Sequence, residues 1–195
     1  IDYGDYLPIP YLSAVAKEQG CKTYIHIVLD EDIDSKTTKK KPTFLASNDI
    51  HYIMKEIKPE IVAYSANIMT YDKLVKTNSE LKEKYKFIAI MGGPQPTFRP
   101  DLFDNSGMDA FCIGEGEGAW KDFLIKVQNS ESFDDIPNII TKNKINPVRP
   151  LITDLNSIPM PDRAITIENS FLKHISKKTF FTSRGCPFTC SYCCN

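Results

Sequence analysis

The sequence predicts an α/β fold built on a doubly wound parallel sheet, and three observations carry that prediction. Short apolar runs without polar alternation recur at residues 61–65, 87–91 and 109–113, as strands covered on both faces require. Between them, apolar residues repeat at helical spacing. Each apolar run opens directly into a loop, two of them rich in glycine, and strands alternating with helices on this rhythm give a parallel sheet.

The elements follow in order. Pro8 and Pro10 start a helix that runs through Tyr11, Leu12 and Val15 to Gln19, where Gly20 stops it. Residues 21–30 alternate through Tyr24, His26 and Val28 and predict a strand. The run 30–41 passes from acidic to basic, as a solvated loop would. Ser47 or Asn48 is placed to cap a helix whose core face is Ile50, Ile53, Met54 and Ile57, at i, i+3, i+4 and i+7. Strand 61–65 comes next, then a helix carrying Tyr71, Leu74, Val75, Leu81 and Tyr85, then strand 87–91. A short helical piece near Leu102 leads to strand 109–113, and Trp120, Phe123, Leu124 and Val127 define a further helix. Beyond Asn129 the periodicity weakens. Residues 139–148 fit a small hairpin, and 149–163 form a proline-punctuated connector, held out of helix and expected to pack its apolar residues along the sheet.

Ser65, then Gly92-Gly93-Pro94-Gln95-Pro96-Thr97, then Gly114-Glu115-Gly116-Glu117 stand at the carboxyl ends of the three predicted strands. Ligands of open parallel sheets bind at that edge, and missing side chains let backbone amides come close to them. Any one of these glycines serves equally well as a tight strand-to-helix turn. Together with Ser65, the three loops favour a shared ligand.

The end of the chain carries a different chemistry. Cys186, Cys190 and Cys193 are spaced C-x3-C-x2-C on a loop turned by Gly185 and Pro187 and preceded by a strand-like run at 178–182. Three converging thiols form a metal-ligand arrangement. A closed zinc site takes four ligands and most cubane iron–sulfur clusters take four thiolates, so three leave one position open for chemistry. Two plainer readings stand beside this: a structural zinc site that recruits Cys194, or thiols with no metal. Adjacent Cys193 and Cys194 project in different directions, which disfavours a shared tetrahedron. Four of the six cysteines lie in the last ten residues, which is no disulfide framework. Cys21 and Cys112 read as small buried hydrophobes.

The cysteine loop resembles that of the radical S-adenosylmethionine superfamily. The resemblance implies Cys186, Cys190 and Cys193 as ligands of a 4Fe-4S cluster, with the Tyr192 ring near the adenine. It further implies that the open iron chelates S-adenosylmethionine, whose reductive cleavage releases a 5'-deoxyadenosyl radical.

Residues 1–165 resemble the cobalamin-binding domain that precedes the barrel in many radical SAM enzymes, through Pro8-Ile9-Pro10-Tyr11-Leu12, Ser65 and the two glycine loops. This implies a Rossmann-like domain over 1–148, a linker over 149–177, and over 178–195 the first strand and cluster loop of a radical SAM barrel. It implies corrin contacts from Ser65, Gly92, Gly93, Gln95, Thr97, Gly114, Glu115 and Gly116. Mutase-type relatives supply an axial histidine from an Asp-x-His-x-x-Gly loop. Asp49-Ile50-His51-Tyr52-Ile53-Met54 lacks that glycine and sits in a helical pattern, so no protein histidine is expected on the cobalt.

The activity implied is methyl transfer to an unactivated carbon, with ring closure of the anaerobic magnesium-protoporphyrin monomethyl ester cyclase type as the alternative. A non-catalytic flavodoxin-like ligand-binding module is the reading from another class. A methylthiotransferase is disfavoured, because that family's first domain brings three further cysteines and only Cys21 and Cys112 are at hand. Expected partners are a small-molecule or peptide substrate and an electron donor such as flavodoxin or ferredoxin. With 42% hydrophobic residues and a net charge of −1 there is apolar surface for a core and no global field for nucleic acid. No apolar run reaches the roughly 18 residues of a membrane span, and thiolate ligands need a reducing compartment, so a cytoplasmic protein is expected. The chain opens on Ile1 and ends two residues after Cys193, so a longer protein is expected, with an opening strand before Ile1 and the rest of the barrel after Asn195.

Overall fold

The computed structural model of the chain describes residues 8–26, 50–167, 180–181 and 183–191. The charged run 30–41, the cap at Ser47 or Asn48, and Tyr192, Cys193 and Cys194 lie outside them.

Four strands form one sheet in the order β1 (Ile61–Ser65), β2 (Ile88–Gly92), β3 (Ala110–Cys112), β4 (Ile139–Ile140). β1 and β2 are parallel, with Ile61 beside Ile88 and Ser65 beside Gly92. β2 and β3 are parallel, with Met91 beside Phe111. The predicted parallel core is therefore present. β4 adds an antiparallel edge, with Cys112 beside Ile139. The hairpin expected at 139–148 closes through a bridge from Ile140 to Ile145 and backbone hydrogen bonds exchanged by Thr141 and Lys144.

Helices cover both faces: α1 (Pro8–Glu18), α2 (Ile50–Ile57), α3 (Tyr71–Lys82), α4 (Pro94–Phe98), α5 (Glu117–Gln128) and α6 (Arg163–Ile167), with 3-10 turns at Pro100–Asn105 and Leu155–Ser157. Side chains alternate across a strand, and that alternation divides the core. Tyr64, Ala89, Met91 and Phe111 pack with Met54 of α2, Leu81 of α3 and Phe103 of the first 3-10 turn. Ile90, Ala110 and Cys112 face the other way, onto Ala119 and Phe123 of α5 and Ile136 and Ile139. Phe103 meets Phe111 edge to face at 5.2 Å. Each such buried aromatic contributes a few kcal/mol, about 3–5 on truncation to alanine. The fully buried Asn78 amide is satisfied: its Nδ2 donates to the Gly107 carbonyl at 3.0 Å and its Oδ1 accepts from the Tyr64 hydroxyl at 3.2 Å. Burial pushes the Tyr64 phenol well above its usual value.

α1 lies against α5, where the Trp120 indole donates to the Leu12 carbonyl at 3.0 Å and the Gln128 amide to the Gln19 carbonyl at 2.9 Å. α3 is launched by an Asx turn, in which the Asn67 Oδ1 accepts from the backbone of Met69 and Thr70.

Three expectations need correction. Residues 21–26 form no strand, and Tyr24 is 56% exposed. A strand needs a ladder partner, and this stretch is tied instead by side chains, Thr23 to Ser13 and Gln128 to Cys21. Residues 27–30 lie outside the described chain. Phe180 and Phe181 are likewise exposed and in no strand. The connector is not wholly extended, because the Asp154 carboxylate accepts from the Asn156 amide and winds a 3-10 turn at Leu155–Ser157, and α6 follows. Nor does it dock by apolar packing, since Leu151 and Met160 are exposed. It is held by polar contacts, the Ile152 amide donating to the Glu115 carboxylate at 2.7 Å and the Asp162 amide to the Pro10 carbonyl at 2.9 Å. Among the described residues no helix is long and apolar enough to cross a membrane.

Candidate functional site at the carboxyl edge of the sheet

The parallel register carries Ser65, Gly92 and Cys112 to one edge, where the three loops that follow β1, β2 and β3 begin. These loops are stitched to one another by the backbone. The Ala66 amide donates to the Gly92 carbonyl at 2.8 Å, and the Gln95 amide donates to the Ala66 carbonyl at 3.1 Å. Gly93 has φ +103°, and a Cβ there would lie 2.7 Å from the Ala66 carbonyl oxygen. Only glycine permits both that angle and that approach. The Thr97 hydroxyl joins the next pair, donating to the Gly93 carbonyl at 2.9 Å and accepting from the Gly114 amide at 3.1 Å.

Asn138 supports the third loop from below. Buried and itself at φ 72°, it donates through Nδ2 to the Ile113 carbonyl at 2.6 Å and accepts at Oδ1 from the Arg149 amide at 2.9 Å. Gly114, at φ +71°, stands where a Cβ would press to 3.1 Å of that Asn138 amide nitrogen.

The upper surface of this edge is uncharged over 66–70 and 93–98. Ser65 is exposed there, as are Ile68 at 76% and Met69 at 86%. The charged groups stand to one side. Arg184, from the cysteine loop, pairs with Glu115 at 3.2 Å and Glu117 at 2.5 Å, and its guanidinium lies 5.3 Å from the Tyr11 ring centre. Burial alone would lower the Arg184 pKa; the Glu117 and Glu115 carboxylates outweigh it and hold the guanidinium above its ordinary value. Among the described residues this edge offers amides, a hydroxyl and apolar side chains to a ligand.

The family of B12 binding domains matches residues 4–124. The chain belongs to the B12-binding domain family. An uncharacterized methyltransferase of Pyrococcus horikoshii, PH0819, is 28% identical to this B12-binding chain over 178 residues, 87% of the chain and 39% of the relative. The cobalamin-dependent radical SAM methyltransferase TokK of Streptomyces tokunonensis is 23% identical over 177 residues, 84% of the chain and 26% of the relative. The chain thus spans less than half the length of these curated relatives. The radical S-adenosylmethionine methyltransferase TsrM of Kitasatospora setae, solved with cobalamin and a 4Fe-4S cluster bound, shares the fold at a TM-score of 0.59 and 14% identity, over 81% of this chain and 28% of that one.

The residues singled out in the sequence fall into four groups. Ser65, Gly92, Gly93 and Gln95 reach the open edge together. Thr97 and Glu115 are at the same edge, but the threonine hydroxyl is engaged between loops and the Glu115 carboxylate between Ile152 and Arg184. Gly114 and Gly116 shape the third loop, Gly116 standing over Cys112 and Leu12. Of the cysteine loop, Cys186 and Cys190 are exposed free thiols beyond the turn made by Gly185 at φ +76°, whereas Cys193 and Tyr192 fall outside the described residues. Asn138 and Arg184 were missed in the sequence. Asn138 sits in a stretch without periodicity, and Arg184 is one cation among 24 lysines and arginines. The signal available for Arg184 was the pair of acids, Glu115 and Glu117, in one glycine loop.

The uncharged edge, with its exposed apolar rim and glycine-lined backbone, fits a broad, largely apolar group edged by amides, as cobalamin is. Two exposed thiols on one loop fit soft iron ligation.

Proposed function

We propose that this chain is the cofactor-bearing portion of a radical SAM methyltransferase. It would hold cobalamin on Ser65, Gly92, Gly93, Gln95, Thr97, Gly114, Glu115 and Gly116, and a 4Fe-4S cluster on Cys186, Cys190 and Cys193. The observation that carries the reading is the placement of the cysteine loop directly against the glycine loop after β3, through Arg184. When bound, the cluster supplies the electron that cleaves S-adenosylmethionine and the cobalamin supplies the methyl group, for an unactivated carbon of a small-molecule or peptide substrate.

The chain's own residues bind and shape. Backbone amides of the glycine loops would approach the corrin, Thr97 ties two of those loops together, and no protein histidine is expected on the cobalt. Tyr192 would lie by the adenine. Residues 1–148 form the cobalamin-binding unit, 149–177 the linker and 178–195 the start of the barrel, in a reducing, cytoplasmic setting where a flavodoxin or ferredoxin delivers electrons.

Titrating the chain with hydroxocobalamin should give a saturable change in the visible spectrum; an unsaturable or absent change sinks the reading. Anaerobic reconstitution of the longer protein should give a cluster whose paramagnetic signal responds to S-adenosylmethionine and is lost in Cys190→Ala. A ring-closed product in place of a methylated one would move the assignment to the cyclase type.

A further inference from the structure

We propose that Arg184 is a positioning residue that clamps the cysteine loop onto the glycine loop after β3 and so sets the spacing between the two cofactor positions. What those loops hold rests on the function proposed above; the clamp itself is argued from this chain alone.

Residues 183–191 are all exposed, and within them the Arg184 side chain is drawn down to 29% exposure by its partners. Its Nη1 donates to the Glu115 Oε1 at 3.2 Å and its Nη2 to the Glu117 Oε1 at 2.5 Å, across 69 and 67 residues of chain. The Tyr11 ring, 5.3 Å away, adds a face contact from α1. The other oxygen of Glu115, Oε2, accepts from the Ile152 amide at 2.7 Å. One carboxylate thus joins the glycine loop, the connector and the cysteine loop.

The two acids are the reason the contact is more than a surface pair. Glu115 and Glu117 are two residues apart, and their side chains are 22% and 12% exposed. Two partly shielded like charges repel, a cation set between them offsets that repulsion, and the rigid planar fork of a guanidinium presents a separate N–H group to each carboxylate in a geometry that a lysine ammonium matches less well. A single residue, Gly185, separates Arg184 from Cys186. Whatever fixes the guanidinium therefore fixes the first thiol.

The test is the rate of chymotryptic cleavage after Phe188, exposed in the same loop, in the metal-free chain, read by peptide mass spectrometry beside the thermal melt. In Arg184→Ala that bond should be cut about fivefold faster or more, as the loop leaves its partners, while the melt of the sheet changes little. Arg184→Lys should fall between the two, and Glu115→Gln with Glu117→Gln should reproduce Arg184→Ala without adding to it. Equal rates in wild type and Arg184→Ala would overturn the clamp, as would full additivity between Arg184→Ala and the paired glutamine variant. Should Arg184→Ala lose its cooperative melt, Arg184→Lys and the glutamine pair carry the same comparison. Because no cofactor is present, a failed cobalamin titration would sink the proposed function and leave this result standing.

Discussion

Gly93 and Ala66 meet so closely that a Cβ on the glycine would lie 2.7 Å from the alanine carbonyl oxygen and 3.0 Å from its nitrogen. Both contacts are backbone, which cannot swing aside as a flexible side chain would. The loop after β1 and the loop after β2 therefore share one packing solution, and it excludes every residue but glycine.

Gly93→Ala should cost about 2 kcal/mol or more, from strain at positive φ plus the clash. Gly20→Ala, also at positive φ but with open space around its Cβ, should cost only the strain. A chemical-denaturation pair measures the difference, and equal costs would show that the Ala66 contact relaxes freely. Cobalamin affinity should fall in the first variant and not in the second.

Thr97 bridges the second and third loops through one hydroxyl that both donates and accepts. Thr97→Val keeps the shape and removes both bonds, leaving the Gly114 amide without its partner. A loss of about 0.5–1.5 kcal/mol is expected, because water can reach the exposed Gly114 amide, whereas Thr97→Ser should lose well under half of that. Amide hydrogen exchange at Gly114 checks the cause, since it should quicken in the valine variant alone.

How far the sequence reaches is visible in these same residues. The strands were legible because Ala89, Met91, Ile90 and Phe111 are buried on both faces, and such strands write themselves as unbroken apolar runs. The glycine loops were legible because positive φ and close backbone approach admit few residue types. β4 was legible as one arm of the hairpin at 139–148, but its antiparallel pairing with β3 was not, because two residues, Ile139 and Ile140, carry no period that names a partner. Residues 21–26 misled because alternation reports the exposure of side chains and not the presence of a ladder partner. The roles of Thr97 and Glu115 were legible only in part: position at the edge follows from strand order, but which way a hydroxyl or carboxylate turns depends on groups as distant as Ile152 and Arg184. Long-range ion pairs leave no local pattern to read.

Cys112 and Cys186 should separate cleanly in their reactivity. Burial pushes the Cys112 thiol up to about 12, Glu117 adds to that and Arg149 opposes it. The thiolate is the nucleophile, so at pH 8 in the metal-free chain iodoacetamide should modify Cys186 and Cys190 while Cys112 stays unmodified until denaturant unfolds the sheet. Prompt modification of Cys112 in the folded chain would contradict its place beneath Gly116.

Asp162 pins the connector to α1, accepting from the Ser13 hydroxyl at 2.6 Å and pairing with Lys17 at 2.7 Å, while its own amide donates to the Pro10 carbonyl. Burial alone would raise its carboxyl; the bonds from Lys17 and Ser13 prevail and hold it below the ordinary carboxylate value. A carboxyl depressed in the folded state contributes its stability above its unfolded pKa, about 3.9, and loses it as the pH falls through the lower folded value. Wild type should therefore exceed Asp162→Asn in stability by a constant margin at pH 6–8, and that margin should shrink below about pH 4. Denaturation midpoints of the two proteins across pH 3–8 measure it. A margin that persists unchanged to pH 3 would mean that the shape and hydrogen bonding of the aspartate, rather than its charge, hold the connector.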